Sequence, residues 1–362
     1  MATINEYYPQ SVTHPAVILA ETLEENNMGA KEFAVKTGKP EKTISAVLKS
    51  KSSITPDMAM LFEQVLKIPA HFWIEAQRNY DEYVARLNFQ KNIDNSVEWA
   101  KQFPYLAMAN LGWLSKTTQL KEKVVNLFNY FGIANQKGFE DYYYNQATQV
   151  AFRISLKNQD NAPAIAAWLR QGELQAKQQN VPAYSKSKLK SNLPLLKKLM
   201  VQQPQNFYSQ LLSLCAEAGV KVVATPCLPK TQIKGSTRWL NDTPLIQLNN
   251  RYKRNDIFWF TFFHEVGHIL LHGKKYFSIE NLNVKGEKKQ YENEANNFAA
   301  DWLLNKKQEA IILGKAKLSA KDVEQFAKTF KTHPACIAGR LQHLGKVSNR
   351  FGKPFFEGVE IP

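Results

Sequence analysis

Cysteine is scarce in this chain. Cys215, Cys227 and Cys336 are the only three among 362 residues; they are odd in number, far apart and in no CxxC pair, which argues against a disulfide framework and a cysteine zinc site. Long apolar runs are missing as well. The stretch Ile257 to Phe260, resumed after Thr261 by Phe262 and Phe263, falls far short of the roughly 20 residues a membrane span needs, so no membrane role is expected. Residues 1 to 20 hold Asn, Glu, Gln and two Tyr without a basic start followed by an apolar run, unlike a signal peptide. A reducing cytoplasm is the expected location. Acidic side chains are in deficit, 32 against 47 basic ones, for a net charge of +15, which invites a nucleic-acid reading. The excess is uneven: residues 1–90 carry 9 Lys or Arg against 11 Asp or Glu, a net of about −2, leaving about +17 for the rest. With 44% hydrophobic and 22% charged residues the chain has the composition of a folded protein, long enough for two or three cores of roughly 150 residues each.

Hydrophobic periodicity divides it into zones. Residues 13–88 read as short amphipathic segments punctuated by Gly29, Gly38, Pro40, Pro56 and Pro69, a compact bundle of short helices. From Ser96 to Glu217 the pattern is helical, with the polar stretch Ala176 to Lys190 as the expected flexible loop, and no fixed-period repeat supports a solenoid. After Gly219, Val220 to Thr225 reads as a strand, and Ser236 to Leu240 with Leu245 to Leu248 as a hairpin. Helix returns at Asp256, an expected N-cap, and persists to about Leu344. The expected fold is mainly α, with a five-helix domain over 1–90, a helical linker region over 91–215, an α+β domain with a small sheet over 216–346 and a tail over 347–362.

Within the first zone, Ala34, Gly38 and Ile44 are spaced four and six apart. A helix-turn-helix needs a small residue where two helices approach, a glycine through the turn and a branched apolar anchor on the second helix. The second helix, about Glu41 to Leu48, would turn Lys39, Lys42, Thr43 and Ser45 toward a major groove, with Lys36, Lys49 and Lys51 within reach of phosphate. Residues 36–51 hold five Lys and one Glu, so this face is positive although its domain is not. A plain helical hairpin with solvated lysines fits composition and spacing equally well.

The sharpest signal is His264-Glu265-Val266-Gly267-His268, a string expected by chance in about one such sequence in a hundred. Residues four apart share a helical face about 6 Å apart along the axis, so both imidazoles can meet one tetrahedral zinc ion. Glu265 beside it can take a proton from a water whose pKa the metal lowers and pass it to a leaving amine. A third ligand is required. His272 lies eight residues, about 12 Å of helix, beyond His264, so it is disfavoured, and Leu271 stands where a Gly-containing turn would bring a downstream His back. Glu292 and Glu294 point about 200° apart around their helix, so only one can ligate.

Two family resemblances follow from these residues. His14-Pro15-Ala16-Val17-Ile18-Leu19, Lys31-Glu32-Phe33-Ala34, Ile54-Thr55-Pro56-Asp57-Met58-Ala59 and His71-Phe72-Trp73 resemble the HigA-type antidote branch of the XRE-like regulators. That resemblance implies five helices, dimeric binding to palindromic operator DNA, and structural roles for His14 and His71. Phe260 to His272, followed by Glu292-x-x-Ala295-Asn296-x-Phe298-Ala299-Ala300-x-x-Leu303-Leu304, resembles the ImmA/IrrE family of metallo-endopeptidases, which cleave repressor proteins in stress and mobile-element circuits. It implies one Zn2+ per chain, with Glu292 preferred as third ligand to His264 and His268. Asn305-Lys306 departs from the Met-Pro usual after the double Leu. Arg238 and Tyr252 stand near the motif as candidate oxyanion donors or as sheet-edge and ion-pair residues, and His333 and His343, without partners at ligand spacing, are structural.

The expectation is thus a DNA-binding regulator with a zinc endopeptidase domain, homodimeric by resemblance, acting on a repressor or a toxin–antitoxin partner. Two rivals stand beside it: an antitoxin or repressor that uses the peptidase fold as a metal or ligand sensor, and a protease whose N-terminal domain only finds a partner protein.

Overall fold

The structure, a computed structural model, describes residues 11–145, 161–231, 233–275, 278–279 and 288–361; the first ten residues, part of the stretch read for a leader, lie outside them. The chain divides into two compact units, Met1–Asn95 and Ser96–Pro362. Both are mainly helical, and the second holds the small sheet, in agreement with the expected fold class.

Among its described residues the first unit has five helices: α1 (Pro15–Glu25), α2 (Ala30–Thr37), α3 (Glu41–Leu48), α4 (Pro56–Leu66) and α5 (Ala70–Asn95). Local signals set their ends. His14 caps α1, its Nδ1 accepting from Ala16 N at 2.9 Å, and Thr55 caps α4 ahead of Pro56. Gly38 ends α2 in the left-handed region at φ 63°, and Lys39 N returns to Ala34 O at 3.0 Å, which closes the orphan carbonyls of the helix. Phe33, Ile44, Phe62 and Trp73 are fully buried together in one core.

The second unit opens with shorter helices, α6 (Val97–Ala100), α7 (Tyr105–Asn110), α8 (Leu120–Phe131) and α9 (Gln136–Phe139), packed through an aromatic cluster of Trp99, Phe103, Phe131 and Phe139. Then come α10 (Ala162–Lys177), α11 (Lys186–Gln202) and α12 (Phe207–Ala216). The loop expected over Ala176 to Lys190 is narrower, 178–185, because Ser185 caps α11 and its lysines are sound helix formers.

The sheet has four strands, β1 (Lys221–Thr225), β2 (Gly235–Leu240), β3 (Thr243–Asn249) and, further on, β5 (Ser278–Ile279), in the order β1-β3-β2-β5. β2 and β3 form the expected antiparallel hairpin, with Leu240 opposite Thr243, and β1 is parallel to β3. β1 therefore presents an open edge. Helix α10 covers it: Trp168 Nε1, Gln175 Nε2 and Gln179 Nε2 donate to the carbonyls of Thr225, Ala224 and Val222 at 2.7–3.0 Å, satisfying groups that would otherwise invite another strand. The region expected as a linker is thus part of the second unit and covers one side of its sheet.

The other side of the sheet receives α13 (Asn255–Leu271), which follows β4 (Arg251–Tyr252). Phe258, Trp259, Phe262 and Phe263 on it are wholly buried, each contributing about 1.5–3 kcal/mol by burial. Apolar on several faces, it is a central helix and not a surface one. The expected N-cap Asp256 proves to be its second residue. Arg254 stands at the cap instead and takes the Asp256 carboxylate through two bonds of 2.9 and 2.7 Å, so the acid still lies at the positive end of the helix without capping it.

α14 (Lys288–Leu303) packs against α13 at close range, since a Cβ on Gly267 would come within 3.1 Å of Phe298 and 3.3 Å of Ala295 Cα. α15 (Lys306–Leu313), α16 (Ala320–Phe330) and α17 (Pro334–His343) follow. α16 and α17 repeat the turn of α2 and α3: Ala327, Lys331 and Ile337 have the spacing of Ala34, Gly38 and Ile44, and Thr332 N returns to Ala327 O at 3.0 Å. Here, however, the second helix is buried at Ala335, Cys336, Ile337, Ala338 and Leu341, so it has no free reading face. The stretch expected as a tail also packs. β6 (Val359–Glu360) pairs antiparallel with β4, and Val359 and Ile361 are 3% exposed.

Candidate metal centre

α13 and α14 bring three ligand-type side chains to one point. His264 and His268 are each 1% exposed, and their Nε2 atoms face each other at 2.9 Å. The Glu292 carboxylate meets both, at 3.3 Å from His264 Nε2 and 3.4 Å from His268 Nε2. Two bonds of about 2.0–2.1 Å at a tetrahedral angle set ligand atoms about 3.3 Å apart, so the two contacts of Glu292 have the spacing of ligands on one metal ion and the imidazole pair is closer. Among the described residues this is the only such group of three. Burial, with His264 and His272 close by, holds the His268 imidazole well below its usual pKa, and a neutral imidazole is the form that ligates.

Each imidazole is also held from behind. His264 Nδ1 lies 3.0 Å from Asn296 Oδ1, one turn beyond Glu292. His268 Nδ1 lies 3.0 Å from His272 Nδ1, and His272 Nε2 lies 3.0 Å from Glu294 Oε2. His272 and Glu294 therefore stand outside the three-residue cluster, in a relay that ends on His268; hydrogen bonds from Gln290 and then His272 hold the Glu294 carboxyl below its usual pKa. The sequence places His272 on the same face as His268 but does not reveal this relay, whose other end comes from a second helix.

Glu265 is fully buried on the side of α13 that meets the sheet, where Thr237 Oγ1 donates to its carbonyl at 3.1 Å. Its carboxylate lies over Gly235, the first residue of β2: a Cβ there would fall 2.7 Å from Glu265 Oε1. Arg238 points the other way. Its Nη2 donates to Leu169 O on α10 at 2.6 Å, and Glu173 stands 4.0 Å from Nε. Alternate residues of a strand face opposite sides, and because Thr237 meets α13, Arg238 cannot reach the metal side. Tyr252 donates its hydroxyl to Lys234 O at 2.5 Å. Both are structural, the plainer of the two expected readings. His333 Nδ1 accepts from Ala335 N at the cap of α17.

Residues 215–342 match the family model of the IrrE N-terminal-like domain, Peptidase_M78. That stretch contains both helices of the centre and all of the residues just described except the Leu169–Glu173 side of the sheet. Comparison with curated proteins finds no match. Among solved structures, an addiction-module antidote protein of the HigA family from Coxiella burnetii is 31% identical over 23% of this chain and 91% of its own, with a TM-score of 0.22. The Pseudomonas aeruginosa antitoxin HigA, determined with the higBA promoter, is 24% identical over 24% and 94%, with a TM-score of 0.22.

The residues expected to touch DNA lie in the first unit. Ile44 and Val47 turn α3 inward, both fully buried, which leaves Lys42 on the opposite side at 100° per residue. Lys42, Lys49 and Lys51 are exposed, while Lys39, Thr43 and Ser45 are half-buried. Lys36 is engaged by Glu32 at 2.8 Å. No helix among the described residues is long and apolar enough to cross a membrane.

Proposed function

We propose that this protein is a DNA-binding transcriptional regulator whose IrrE-like domain is a zinc-dependent endopeptidase acting on a repressor or another regulatory protein in a stress, mobile-element or toxin–antitoxin circuit. The observation that carries the reading is the convergence of His264, His268 and Glu292 on one point with a buried Glu265 next to His264 on the same helix. Bound zinc supplies Lewis acidity to the scissile carbonyl and to the attacking water. His264 and His268 hold it through Nε2 and Glu292 through its carboxylate.

With Nε2 committed to the metal, each ligand imidazole carries its proton on Nδ1. His264 then donates to Asn296 Oδ1. His268 donates to His272 Nδ1, which leaves His272 Nε2–H to donate to Glu294, so one direction of donation satisfies the whole relay. Glu265 takes a proton from the attacking water as the oxygen adds to the carbonyl carbon, and delivers it to the amine nitrogen as the C–N bond breaks. In the first unit, α3 enters the major groove with Lys42, Thr43 and Ser45 toward base edges and Lys49 and Lys51 on phosphate, with Lys39 at the turn. Operator binding as a homodimer belongs to the same reading.

Glu265→Gln tests it, because a sensor needs the ligands but not the base. The variant should keep zinc, fold and operator binding and should lose hydrolysis, measured as the lifetime of the regulator encoded beside this gene under DNA-damaging stress. Equal lifetimes and equal promoter response in wild type and variant, with zinc retained, would favour the sensor.

A further inference from the structure

Basic side chains crowd one part of the second unit. From Leu174 to Ala216 the chain holds six Lys and neither Asp nor Glu, a stretch that ends α10 and makes up α11 and α12. Five of the six are on α11, which lies outside the stretch matched by the family model. Lys186, Lys188, Lys190 and Lys198 are exposed and Lys197 is half-buried. Lys188 pairs with Glu217 at 3.0 Å. Among the described residues no carboxylate forms an ion pair with the other four.

The helix arranges these charges. Leu189, Leu193, Leu196 and Met200 turn into the core. At 100° per residue, Lys186, Lys190 and Lys197 then fall in one row beside the buried stripe, about 16 Å from end to end, with Lys198 further round. The placement runs against the needs of the helix itself. The N-terminal end of a helix carries partial positive charge and favours acids, yet the first turn here has none and Lys186, Lys188 and Lys190 stand in the first two. A face kept only for solvation gains nothing from that arrangement, whereas a polyanion lying along it offsets both the lysines and the dipole.

The polyanion that fits is duplex DNA. One strand presents a phosphate about every 3.4 Å of axis, so the row meets about five of them. Single strands are held by stacking on exposed rings, and no aromatic side chain is exposed among the described residues of α10, α11 and α12. Protein partners are anchored by aromatic and apolar side chains in pockets, and on these helices Leu195 is the only large apolar residue exposed. The chain also supplies the neighbourhood. Ser96 alone separates α5 from α6, so a duplex held by the first unit stays at high effective concentration for the second.

We infer that α11 is a second, sequence-independent DNA contact that lies along the phosphate backbone of the duplex flanking the operator. It rests on the proposed DNA-binding reading for that neighbourhood but not for the contact itself. The test uses the full chain and a fluorescein-labelled random-sequence duplex of about 40 base pairs, followed by anisotropy between about 50 and 200 mM salt. Lys186→Gln, Lys190→Gln, Lys197→Gln and Lys198→Gln together should lower the slope of log affinity against log salt by about 3, and the affinity at about 100 mM salt by at least about 10-fold. Lys186→Gln with Lys190→Gln, both at exposed positions, should lower the slope by about 2 even if the half-buried Lys197 proves necessary for folding. A control that changes Lys306, Lys307, Lys321 and Lys328, exposed on α15 and α16, to Gln removes the same charge and should alter the slope by less than about 1. Equal slopes in wild type and both α11 variants, or equal losses in the α11 and control variants, would overturn the inference. Poly-glutamate that competes as well as unlabelled duplex would do the same and mark an acidic protein as the occupant. The expected α11 slopes in a wild-type chain that shows no preference for its own promoter would leave this contact standing and sink α3 as the operator reader instead.

Discussion

Replacing Gly235 by Ala puts a methyl group where two buried side chains already sit. An ideal Cβ at this position is 2.7 Å from Glu265 Oε1 and 2.7 Å from Thr261 Cγ2, whereas ordinary contact starts at 3.4 Å. A neighbour must therefore yield by about 0.7 Å in an interior packed too densely to absorb it freely. Thr261 is fully buried and β-branched, with few rotamers open to it in a helix, so the carboxylate end of Glu265 is the part that moves. Overpacking of this kind costs about 1–3 kcal/mol. A unit of this size should then melt several degrees lower, at roughly 2–4 °C per kcal/mol. The rate should suffer more. Misplacing a reacting group by about 1 Å can cost about 100-fold, equivalent to about 2.7 kcal/mol of barrier. Zinc content should not change, because the three ligands lie between α13 and α14, away from β2. The assay compares cleavage of a proteome-derived peptide library by mass spectrometry, bound zinc after dialysis, and thermal unfolding, for wild type and Gly235→Ala. Wild-type cleavage with an unchanged melting temperature would refute the placement of the Glu265 carboxylate against this strand. Loss of zinc along with activity would show that the strand supports the ligands and not the base.

Other expectations concern ligands, DNA and protons. His264→Ala, His268→Ala and Glu292→Ala should each abolish most of the roughly one zinc per chain, while His272→Ala and Glu294→Ala should keep it with about 10–100-fold weaker affinity; uniform loss across all five in a zinc titration would contradict the assignment. In operator binding, Lys42→Ala should relax sequence preference, while Lys51→Ala should weaken all sequences alike and lower the salt slope by about 1; gel-shift titrations at several salt concentrations would expose a failure of either. Burial pushes the Cys215 thiol up to about 12 and Cys227 up to about 11, and also raises Cys336 and Tyr130. These groups keep protons in the folded state that the unfolded chain releases, so stability present at neutral pH should decline as pH rises past about 9. At pH 8 none of the three thiols should react with a chromogenic disulfide reagent until the protein is denatured; rapid native labelling would show the burial to be wrong.

What could be read in the sequence was what depends on near neighbours. The imidazole pair follows from four-residue spacing, and the angle between positions two apart says that Glu292 and Glu294 cannot both ligate, while the preference for Glu292 comes from the family resemblance. In the structure the Glu292 carboxylate lies beside both imidazoles, and Glu294 turns to His272. The turn at Gly38 and the hairpin around Asn241 and Asp242 are equally local. Contacts made across the sheet were not legible. Whether Arg238 meets the metal or α10 depends on which face of β2 its side chain occupies, and that parity is set by pairing with β3, not by any residue beside it. The role of Gly235 depends in the same way on a helix thirty residues later. Asp256 misleads because an acid at a helix start serves as a cap or as a salt-bridge partner with the same local pattern, and Arg254 decides between them. The stretch 178–185 is shorter than its polar composition suggests because lysine and glutamine extend helices as readily as they solvate loops.

The pairing of β6 with β4 sets an order of events during synthesis. Ile361 N bonds Asn250 O at 2.9 Å, and Val359 sits opposite Tyr252, so the segment just before α13 is not complete until residues more than a hundred positions later have left the ribosome. At about 5–20 residues per second the first unit, whose contacts all lie within 95 residues, has many seconds to fold ahead of it. Helix α3, proposed above to read DNA, can therefore be in place on the nascent chain while the segment before the helix that bears His264, Glu265 and His268 still waits for β6. A nascent or prematurely terminated chain would then be a reader without a finished metal centre, and the ratio of the two activities in a cell would report on how many chains had been completed.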